Sequence, residues 1–276
     1  MKIVKNSGEI VDFNPQKLKN SLLKSGARIE VINEIMETIV AELYNGSSTK
    51  QIYKRAFGLL KKSANATAAR YNLREAIRML GPAGFYFEKF IARLFQSENY
   101  ETKTNIILQG KCVSHEIDVI IRQNNQLAMV ECKFHSGEDA KSDVKVPMYI
   151  LSRFNDLKEN NYLIFDRKEY LSACWIVTNN RFTLDAITFA KCSGLSLLCW
   201  DYPPKNNLKT KIEHESLYPI TCLTTLSVLE KDKLLTLNLI LVKDLLNNRI
   251  SLERIGISSN RIKNVLKEVS ELCKYL

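Results

Sequence analysis

The spacing of the apolar residues changes once along this chain, at the sequence Gly-Pro-Ala-Gly of residues 81–84. Before it, apolar residues recur at helical spacing through 30–44, 49–62 and 65–79. After it, one amphipathic helix over 84–97 precedes segments in which apolar and polar residues alternate, as in half-buried strands. Glycine and proline interrupt regular elements, so the sequence predicts a boundary between a helical part and an α/β part.

The first 80 residues predict a small hairpin followed by four helices. Residues 2–13 fit two short strands around a turn that contains Gly8. Asn14 is a suitable N-cap and Pro15 suits the first helical position, so we expect the first helix to begin there and to continue to Ser25.

Residues 82–205 predict an α/β fold with a mixed sheet, because helices and strands follow one another in the order αβββαβαβ. Residues 206–276 are predicted to be mainly helical, with amphipathic patterns at 234–246 and 260–272. The predicted domains are therefore 1–80, 82–205 and 206–276. After the helix over 84–97, the predicted α/β elements are strands at 103–109, 114–122 and 126–134, a helix at 143–158, a strand at 173–178, a helix at 182–193 and a strand at 195–200.

The composition favours a polyanionic partner and a reducing compartment. The chain has 276 residues, a formal net charge of +10 and a pI of about 9.2, and lysine and arginine neutralise phosphates. A merely basic protein is the alternative. The seven cysteines are odd in number and none is spaced as CxxC, so we expect free thiols in the cytoplasm. No apolar stretch is long enough to cross a bilayer, and the sequence opens without a signal peptide.

Three charged residues on two consecutive predicted strands point to chemistry. Asp118 lies on the first strand, while Glu131 and Lys133 lie two apart on the next and so share a face. Crowding these charges on central strands is costly unless they serve a purpose. Carboxylates can hold Mg²⁺, and a nearby lysine can orient the attacking water. Glu88 reaches the same point if its helix packs on the sheet; surface salt bridges on an exposed hairpin are the alternative.

Over residues 82–205 the chain resembles the PD-(D/E)xK nuclease superfamily, and within it the Mrr-type restriction endonucleases. The resemblance rests on segments 87–95, 116–119 and 131–133, with 178–183 and 194–202 after them. It implies a restriction-endonuclease-like core acting on double-stranded DNA with Mg²⁺ or Mn²⁺. By this resemblance Asp118, Glu131 and Glu88 are metal ligands, with Glu88 accessory, and Lys133 is the base that positions water.

Four residues that flank this set have weaker interpretations. If the strand is regular, His115 points away from Asp118 and is structural or faces DNA, whereas Glu116 shares the face of Asp118 or is a solvated edge residue. Lys141 and Lys145 follow the second strand and either hold the DNA backbone or belong to an ordinary charged loop.

The N-terminal 80 residues resemble an ATP-cone, a small nucleotide-binding domain. The matching segments are 4–9, 13–18, 49–52 and 69–71. The resemblance implies that ATP or dATP binds as a regulatory ligand and that Lys5, Asn14, Lys17 and Thr49 contact it, with Arg78 as a further phosphate contact. Residue 6 is asparagine where the family has arginine, so a degenerate cone that serves as a docking or dimer surface is the alternative. No P-loop sequence is present, and we expect no ATP hydrolysis by this domain.

Together these patterns predict a Mg²⁺-dependent DNA endonuclease of restriction or phage defence, regulated by a nucleotide and assembled as a homo-oligomer. Two other functions stay open: a non-catalytic, nucleotide-sensing DNA-binding regulator, and a nuclease that cleaves RNA. The Gly256 turn in residues 251–268 faintly resembles a helix-hairpin-helix element, and a plain helical cap is the alternative.

Overall fold

The computed structural model describes residues 1–81, 84–137 and 140–273. These residues divide into two compact units, one built from Arg78–Leu217 and the other from residues 1–77 together with those described from Tyr218 onward. The predicted break at Pro82 and Ala83 lies outside the described residues, and the three predicted domains stay predictions.

The N-terminal residues form a three-stranded sheet covered by helices. In this sheet β1 lies between β2, which is antiparallel to it, and β3, which is parallel. The predicted hairpin is thus confirmed, whereas the helix predicted over 65–79 is divided at Asn72, whose side chain accepts a hydrogen bond from the Tyr53 hydroxyl. The elements are β1 (Lys2–Val4), β2 (Ile10–Asp12), α1 (Pro15–Lys24), α2 (Ile29–Glu42), β3 (Ser47–Ser48), α3 (Thr49–Ser63), α4 (Asn65–Tyr71) and α5 (Leu73–Arg78).

Capping side chains fix where two of these helices begin. The Asn14 carboxamide accepts the Lys17 N–H at 3.2 Å, and Pro15 occupies the first turn of α1, as the sequence predicts. Helix α3 begins with a capping box between Ser48 and Gln51. Ten buried apolar residues of these elements form one core: Ile3, Leu18, Leu22, Ile32, Ile35, Ile39, Ile52, Ala56, Leu60 and Ala68.

The second unit is built on a mixed sheet, in agreement with the α/β prediction. Strands β4, β5 and β6 form an antiparallel meander, and β9 and β11 continue the sheet in parallel with β6, giving the order β11-β9-β6-β5-β4. The elements are α6 (Phe85–Ser97), β4 (Glu101–Gln109), β5 (Ser114–Gln123), β6 (Gln126–Lys133), β7 (Lys141–Ser142), α7 (Lys145–Leu157), β8 (Asn161–Ile164), β9 (Arg167–Thr178), β10 (Arg181–Phe182), α8 (Leu184–Cys192), β11 (Ser196–Leu198) and α9 (Leu208–His214).

Strand β8 and the first half of β9 are absent from the prediction. They form a hairpin whose two turn residues, Phe165 and Asp166, have φ of 53° and 61°. Such turns normally carry glycine or asparagine, so the sequence gives little sign of this one. The short strands β7 and β10, which pair in parallel, were also not predicted.

The C-terminal residues pack with the N-terminal helices in one unit. Thr221 Oγ1 donates to the Ala76 carbonyl at 2.6 Å, and Arg70 Nη2 donates to the Glu271 carbonyl at 2.9 Å. The helices are α10 (Val228–Thr236), α11 (Arg249–Arg254) and α12 (Ser259–Cys273), with 3₁₀ turns at Ile220–Cys222 and Val242–Leu245.

The C-terminal region is mainly helical, as predicted, but the amphipathic pattern over 234–246 does not correspond to one helix. Helix α10 ends at Thr236, Asn238 then takes a φ of 60°, and Leu241 forms a β-bridge with Pro219. The apolar spacing in this segment reflects burial in the core, not one helix face. Within the described part of the chain, no helix is long and apolar enough to span a membrane.

Candidate active site

The two strands that carry the predicted acidic residues separate at Asp118. Pairing between β5 and β6 ends at Val119 and Val130, and beyond it the Cys132 N–H donates to Asp118 Oδ2 at 2.6 Å. On the other side of β5, pairing with β4 skips the position of Asn105, whose φ is 54°. Asp118 therefore lies where pairing with β6 has ended and where one pair is skipped in the otherwise continuous pairing with β4.

Glu131 is buried beside Lys133. Only 3% of Glu131 is exposed, and Lys133 Nζ donates to its Oε1 at 2.8 Å. Strand β6 is paired on both edges and buried on both faces along most of its length. The strict in–out alternation that the sequence suggested therefore does not hold for β6, and Glu131 needs charged partners inside the protein.

The second partner of Glu131 is Arg153, which lies on α7. Its Nη1 donates to Glu131 Oε2 at 2.6 Å, and its Nη2 donates to the backbone carbonyl of Glu116. The side chain of Arg153 is 12% exposed. Both oxygens of Glu131 are thus bound by cationic side chains.

Glu88 enters the same cluster from α6. Partial burial raises the pKa of Glu88, and the negative charges of Glu116 and Glu131 raise it further, whereas a hydrogen bond with the Asn105 side chain lowers it. Gly84, at the start of α6, has the left-handed backbone conformation. Its backbone lies close to the Glu88 carboxylate, because a Cβ at this position would lie 3.5 Å from Glu88 Oε1.

The pKa of Asp118 shows that the acidic groups influence one another. This pKa is raised to about 7, mainly by burial and further by the negative charges of Glu131 and Glu88, while the hydrogen bond from the Cys132 N–H opposes the increase. Carboxylates raise one another's pKa when they lie close together without a cation between them. The four residues predicted for the nuclease site are therefore close together in the fold.

The donor set fits a hard divalent cation, but the site is not ready-made. Among residues 1–81, 84–137 and 140–273, no three acidic, histidine or cysteine side chains are arranged to hold a metal ion. Both oxygens of Glu131 are instead paired with the positive charges of Lys133 and Arg153. Carboxylate oxygens are nonetheless the ligands that Mg²⁺ and Mn²⁺ prefer.

The flanking residues have different surroundings. His115 Nε2 lies 2.8 Å from Asp156 Oδ2, and Asp156 also accepts the backbone N–H of Cys112 at 2.8 Å, which gives His115 a structural role. Glu116 belongs to the acidic cluster through its charge on Glu88. Lys141 and Lys145 are exposed at the start of β7 and α7; Asp139, two residues before Lys141 in the sequence, lies outside the described residues.

The segment after Lys133 is tied to the end of β9. The Asn179 carboxamide accepts the His135 N–H and donates to the His135 carbonyl, both at 2.8 Å, and Asn180 donates to the Gly137 carbonyl. Asn179 and Asn180 are buried. The two asparagines therefore hold the chain that leaves the candidate site.

The first unit contains a pocket of about 290 Å³ beside the N-terminal turns of α1 and α3. Lys5, Asn14, Lys17 and Thr49, four of the five residues predicted to contact a nucleotide, line it, and Arg78 does not. Its apolar wall includes Tyr53 and Tyr71, whose rings stack at 4.8 Å.

Sequence reasoning missed Arg153 and Asn105. Ile150, Arg153 and Leu157 lie on one face of α7, and the two apolar residues are fully buried. An arginine on a buried helix face was a usable signal that a partner lies opposite. Asparagine in a strand is a weaker sign of a left-handed residue.

Comparisons with known proteins match two segments of the chain. A family model described as restriction endonuclease matches residues 82–201, and one described as AF1548-like, C-terminal, matches residues 218–273. An uncharacterized protein of Archaeoglobus fulgidus is 33% identical over 186 residues, which make up 66% of this chain and 99% of that protein. Both matched segments begin after residue 81, so the ATP-cone interpretation of residues 1–80 stays a prediction.

Three solved structures are similar to this chain. The crystal structure of AF1548, a protein of unknown function, has a TM-score of 0.57 and 31% identity, covering 69% of this chain and 98% of that one. Can2 from Sulfobacillus thermosulfidooxidans, in complex with cyclic tetra-adenylate, has a TM-score of 0.34 and 14% identity, covering 72% and 56%. VC1899 from Vibrio cholerae has a TM-score of 0.30 and 18% identity, covering 67% and 48%.

Proposed function

Because the chain belongs to the AF1548-like family and carries a restriction endonuclease domain, we propose that it is a Mg²⁺-dependent endonuclease that hydrolyses phosphodiester bonds in double-stranded DNA. The observation that carries the proposal is the acidic cluster of Glu88, Asp118 and Glu131 beside Lys133. The net charge of +10 suits a polyanionic substrate.

In this proposal Asp118 and Glu131 hold the metal, with Glu88 as a third ligand. A bound divalent ion makes water a stronger nucleophile and offsets the charge that develops on the phosphate. The Lys133 ammonium, beside Glu131, binds and orients the attacking water. The attacking water releases a proton to solvent as its oxygen bonds to phosphorus, and the bond from phosphorus to the leaving oxygen breaks, that oxygen taking up a proton from solvent.

Cleavage of supercoiled plasmid with Mg²⁺ or Mn²⁺ tests the proposal. We expect Lys133→Ala and Asp118→Asn to lower the cleavage rate by about 100-fold or more, as is usual when a general acid–base or metal-binding group is lost. Arg167→Met is the matched control, since Arg167 lies at the opposite end of β9 and contacts Asn125. An intact, folded wild type that cleaves neither DNA nor RNA would argue for the non-catalytic regulator, which binds DNA equally well after Asp118→Ala.

RNA is the alternative substrate of the same site. Equimolar labelled DNA and RNA of one sequence, mixed in a single reaction, distinguish the two. Faster loss of RNA would reassign the substrate but leave the roles of Asp118 and Lys133 unchanged.

We also propose that ATP or dATP binds the pocket of the first unit and regulates cleavage. Support comes from Lys5 and Lys17 on a pocket that also has an apolar wall, a combination suited to a phosphorylated base. Thr49 lies at the first turn of α3, where free N–H groups favour a phosphate.

Equilibrium dialysis with labelled ATP and dATP tests the effector. Removal of one charge-assisted contact costs about 1.5–3 kcal/mol, so Lys17→Ala is expected to weaken binding by about 10- to 100-fold. Lys24→Ala is the control, because Lys24 is exposed on the same helix and does not line the pocket. Equal binding by both variants would leave the pocket as a docking or dimer surface.

A further inference from the structure

Arg153 joins three elements at the point where β5 and β6 separate. From α7 its guanidinium reaches Glu131 Oε2 on β6 at 2.6 Å and the Glu116 carbonyl on β5. The pairing of β5 with β6 ends at Val119 and Val130. Beyond this pair, no regular backbone hydrogen bonds hold the two strands at a fixed separation. A planar, forked guanidinium can satisfy two acceptors in a fixed geometry, which an ammonium cannot.

We propose that Arg153 is a positioning residue of the nuclease site, which fixes the Glu131 carboxylate in the orientation that binds the divalent metal. The proposal rests on the proposed nuclease function. Arg153 holds Oε2, while Oε1 lies on the side of Lys133. Oε1 is thus the oxygen available to a cation that displaces the Lys133 ammonium, and Arg153 keeps its own bond.

The bond to Glu116 gives Arg153 a second effect on the cluster. Glu116 precedes Asp118 by two residues on β5, so the guanidinium ties the strand of one acidic group to the side chain of the other. Groups that orient metal-binding carboxylates typically contribute about 10- to 100-fold to metal affinity or activity. Because Arg153 is mostly buried, solvent does not replace the contact when it is lost.

Arg153 could instead weaken metal binding through its positive charge, and a substitution that keeps the charge but changes the geometry distinguishes the two effects. If Arg153 acted only as a positive charge that competes with the metal, its removal would strengthen metal binding, and lysine would restore the original affinity. If it acts by orienting two acceptors, both Arg153→Met and Arg153→Lys weaken metal binding.

Calorimetric titration of MnCl₂ into protein freed of metal with EDTA is the test. We expect the Mn²⁺ dissociation constant to rise by about 10-fold or more in Arg153→Met and Arg153→Lys, and to be unchanged in the control Arg167→Met. Since Arg153 acts through the metal ligands, the plasmid cleavage rate of both variants should return to within a few-fold of wild type when Mn²⁺ is saturating.

Unchanged or tighter Mn²⁺ binding by Arg153→Met would overturn the proposal. Circular dichroism checks folding first, and if Arg153→Met is unfolded, Arg153→Lys decides: wild-type affinity there overturns the proposal as well. If the wild type binds Mn²⁺ and cleaves DNA, and both variants have the same Mn²⁺ affinity and cleavage rate, only the positioning role of Arg153 is refuted. A wild type that neither binds Mn²⁺ nor cleaves refutes the nuclease function and this role together.

Discussion

Asn105 shows how a single backbone conformation shapes the candidate site. It is the one residue of β4 with a positive φ, 54°, and its side chain hydrogen-bonds Glu88. A left-handed conformation costs most L-residues about 1–2 kcal/mol, and asparagine tolerates it better. The residue therefore combines local strain with a contact to an acidic group, a combination found at functional sites.

Replacing Asn105 should separate its backbone role from its side-chain role. Asn105→Gly tolerates the positive φ but loses the Glu88 contact, so we expect little change in the free energy of unfolding and slower plasmid cleavage. Asn105→Ala loses both, and we expect it to destabilise the protein by about 1–2 kcal/mol. Urea denaturation and cleavage assays measure the two effects; equal cleavage by wild type and Asn105→Gly would contradict the side-chain role.

Asp118 should make the metal-free protein less stable as the pH rises. Its pKa is about 7 in the folded protein against an ordinary 3.8, so between these values the folded state retains a proton that the unfolded state has lost. Stability from this group is present below about pH 4 and is lost as the pH rises to 7. Melting temperatures in EDTA from pH 5 to 8 check this, and Asp118→Asn should flatten the profile; a parallel profile in the variant would contradict it.

At this scale the sequence predicted which acidic groups meet but not how they are neutralised. The proximity of Glu88, Asp118, Glu131 and Lys133 follows from two patterns. Side chains two residues apart on a strand point the same way, even where both faces are buried as in β6, and the helix that carries Glu88 packs on the sheet. The position of Arg153 on a buried helix face indicates that it has a partner, but that this partner is Glu131 depends on tertiary packing that the sequence pattern does not specify.

At the scale of elements, the end of β9 determines where the chain goes after Lys133. Lys133 pairs with Thr178, the last residue of β9, and the side-chain carboxamide of the next residue, Asn179, takes the place of a strand partner for His135. A side chain that mimics a backbone group can extend a sheet where regular pairing stops. Residues 131–133 are thereby held by β9 and His135 by Asn179, so the chain stays attached to one neighbouring segment from Glu131 to His135.

Replacement of Asn179 by aspartate should loosen this support. The carboxylate can still accept the His135 N–H but cannot donate to its carbonyl, and an unsatisfied buried group costs about 1–3 kcal/mol. We expect a lower melting temperature and slower cleavage, with exposed Asn206→Asp as the control. A variant with wild-type melting and cleavage would show that the pair has no role in holding the site.

Most of the elements of the second unit could be predicted from periodicity, but the β8–β9 hairpin could not. The α6 helix and β4, β5 and β6 match their predicted positions within about two residues, the usual uncertainty of boundaries. The β8–β9 hairpin was missed because its turn lacks the residues that normally mark one. In the first unit, the amphipathic pattern over 234–246 does not correspond to one helix, because apolar residues buried in irregular structure can match helical spacing.

At the scale of the whole molecule, the chain returns to its first unit after building the second. The contacts that close the first unit link residues far apart in sequence, such as Thr224 with Asn65. The spacing of apolar residues does not indicate which distant segments pack together, so the sequence predicts residues 206–276 as a separate region. Glu268 anchors this part of the unit, since it is buried and accepts the backbone N–H and hydroxyl groups of Thr224 and Thr225.

Glu268→Gln should therefore destabilise the first unit. The amide brings two donors to a position surrounded by donors, and each unsatisfied buried group costs about 1–3 kcal/mol. We expect a lower melting temperature, while exposed Glu253→Gln has little effect. Hydrogen exchange would place the loss of protection in α4 and α12; protection lost only in β5 and β6 would contradict the assignment.

The path of the chain also sets an order for folding during synthesis. Domains generally fold as they leave the ribosome, beginning with the N-terminal one. Here residues 78–217 emerge complete while the helices made first still lack residues 218–273, which pack against them. The part of the protein that is translated first is thus the last to be finished, because the first unit cannot close until residues 218–273 have been made.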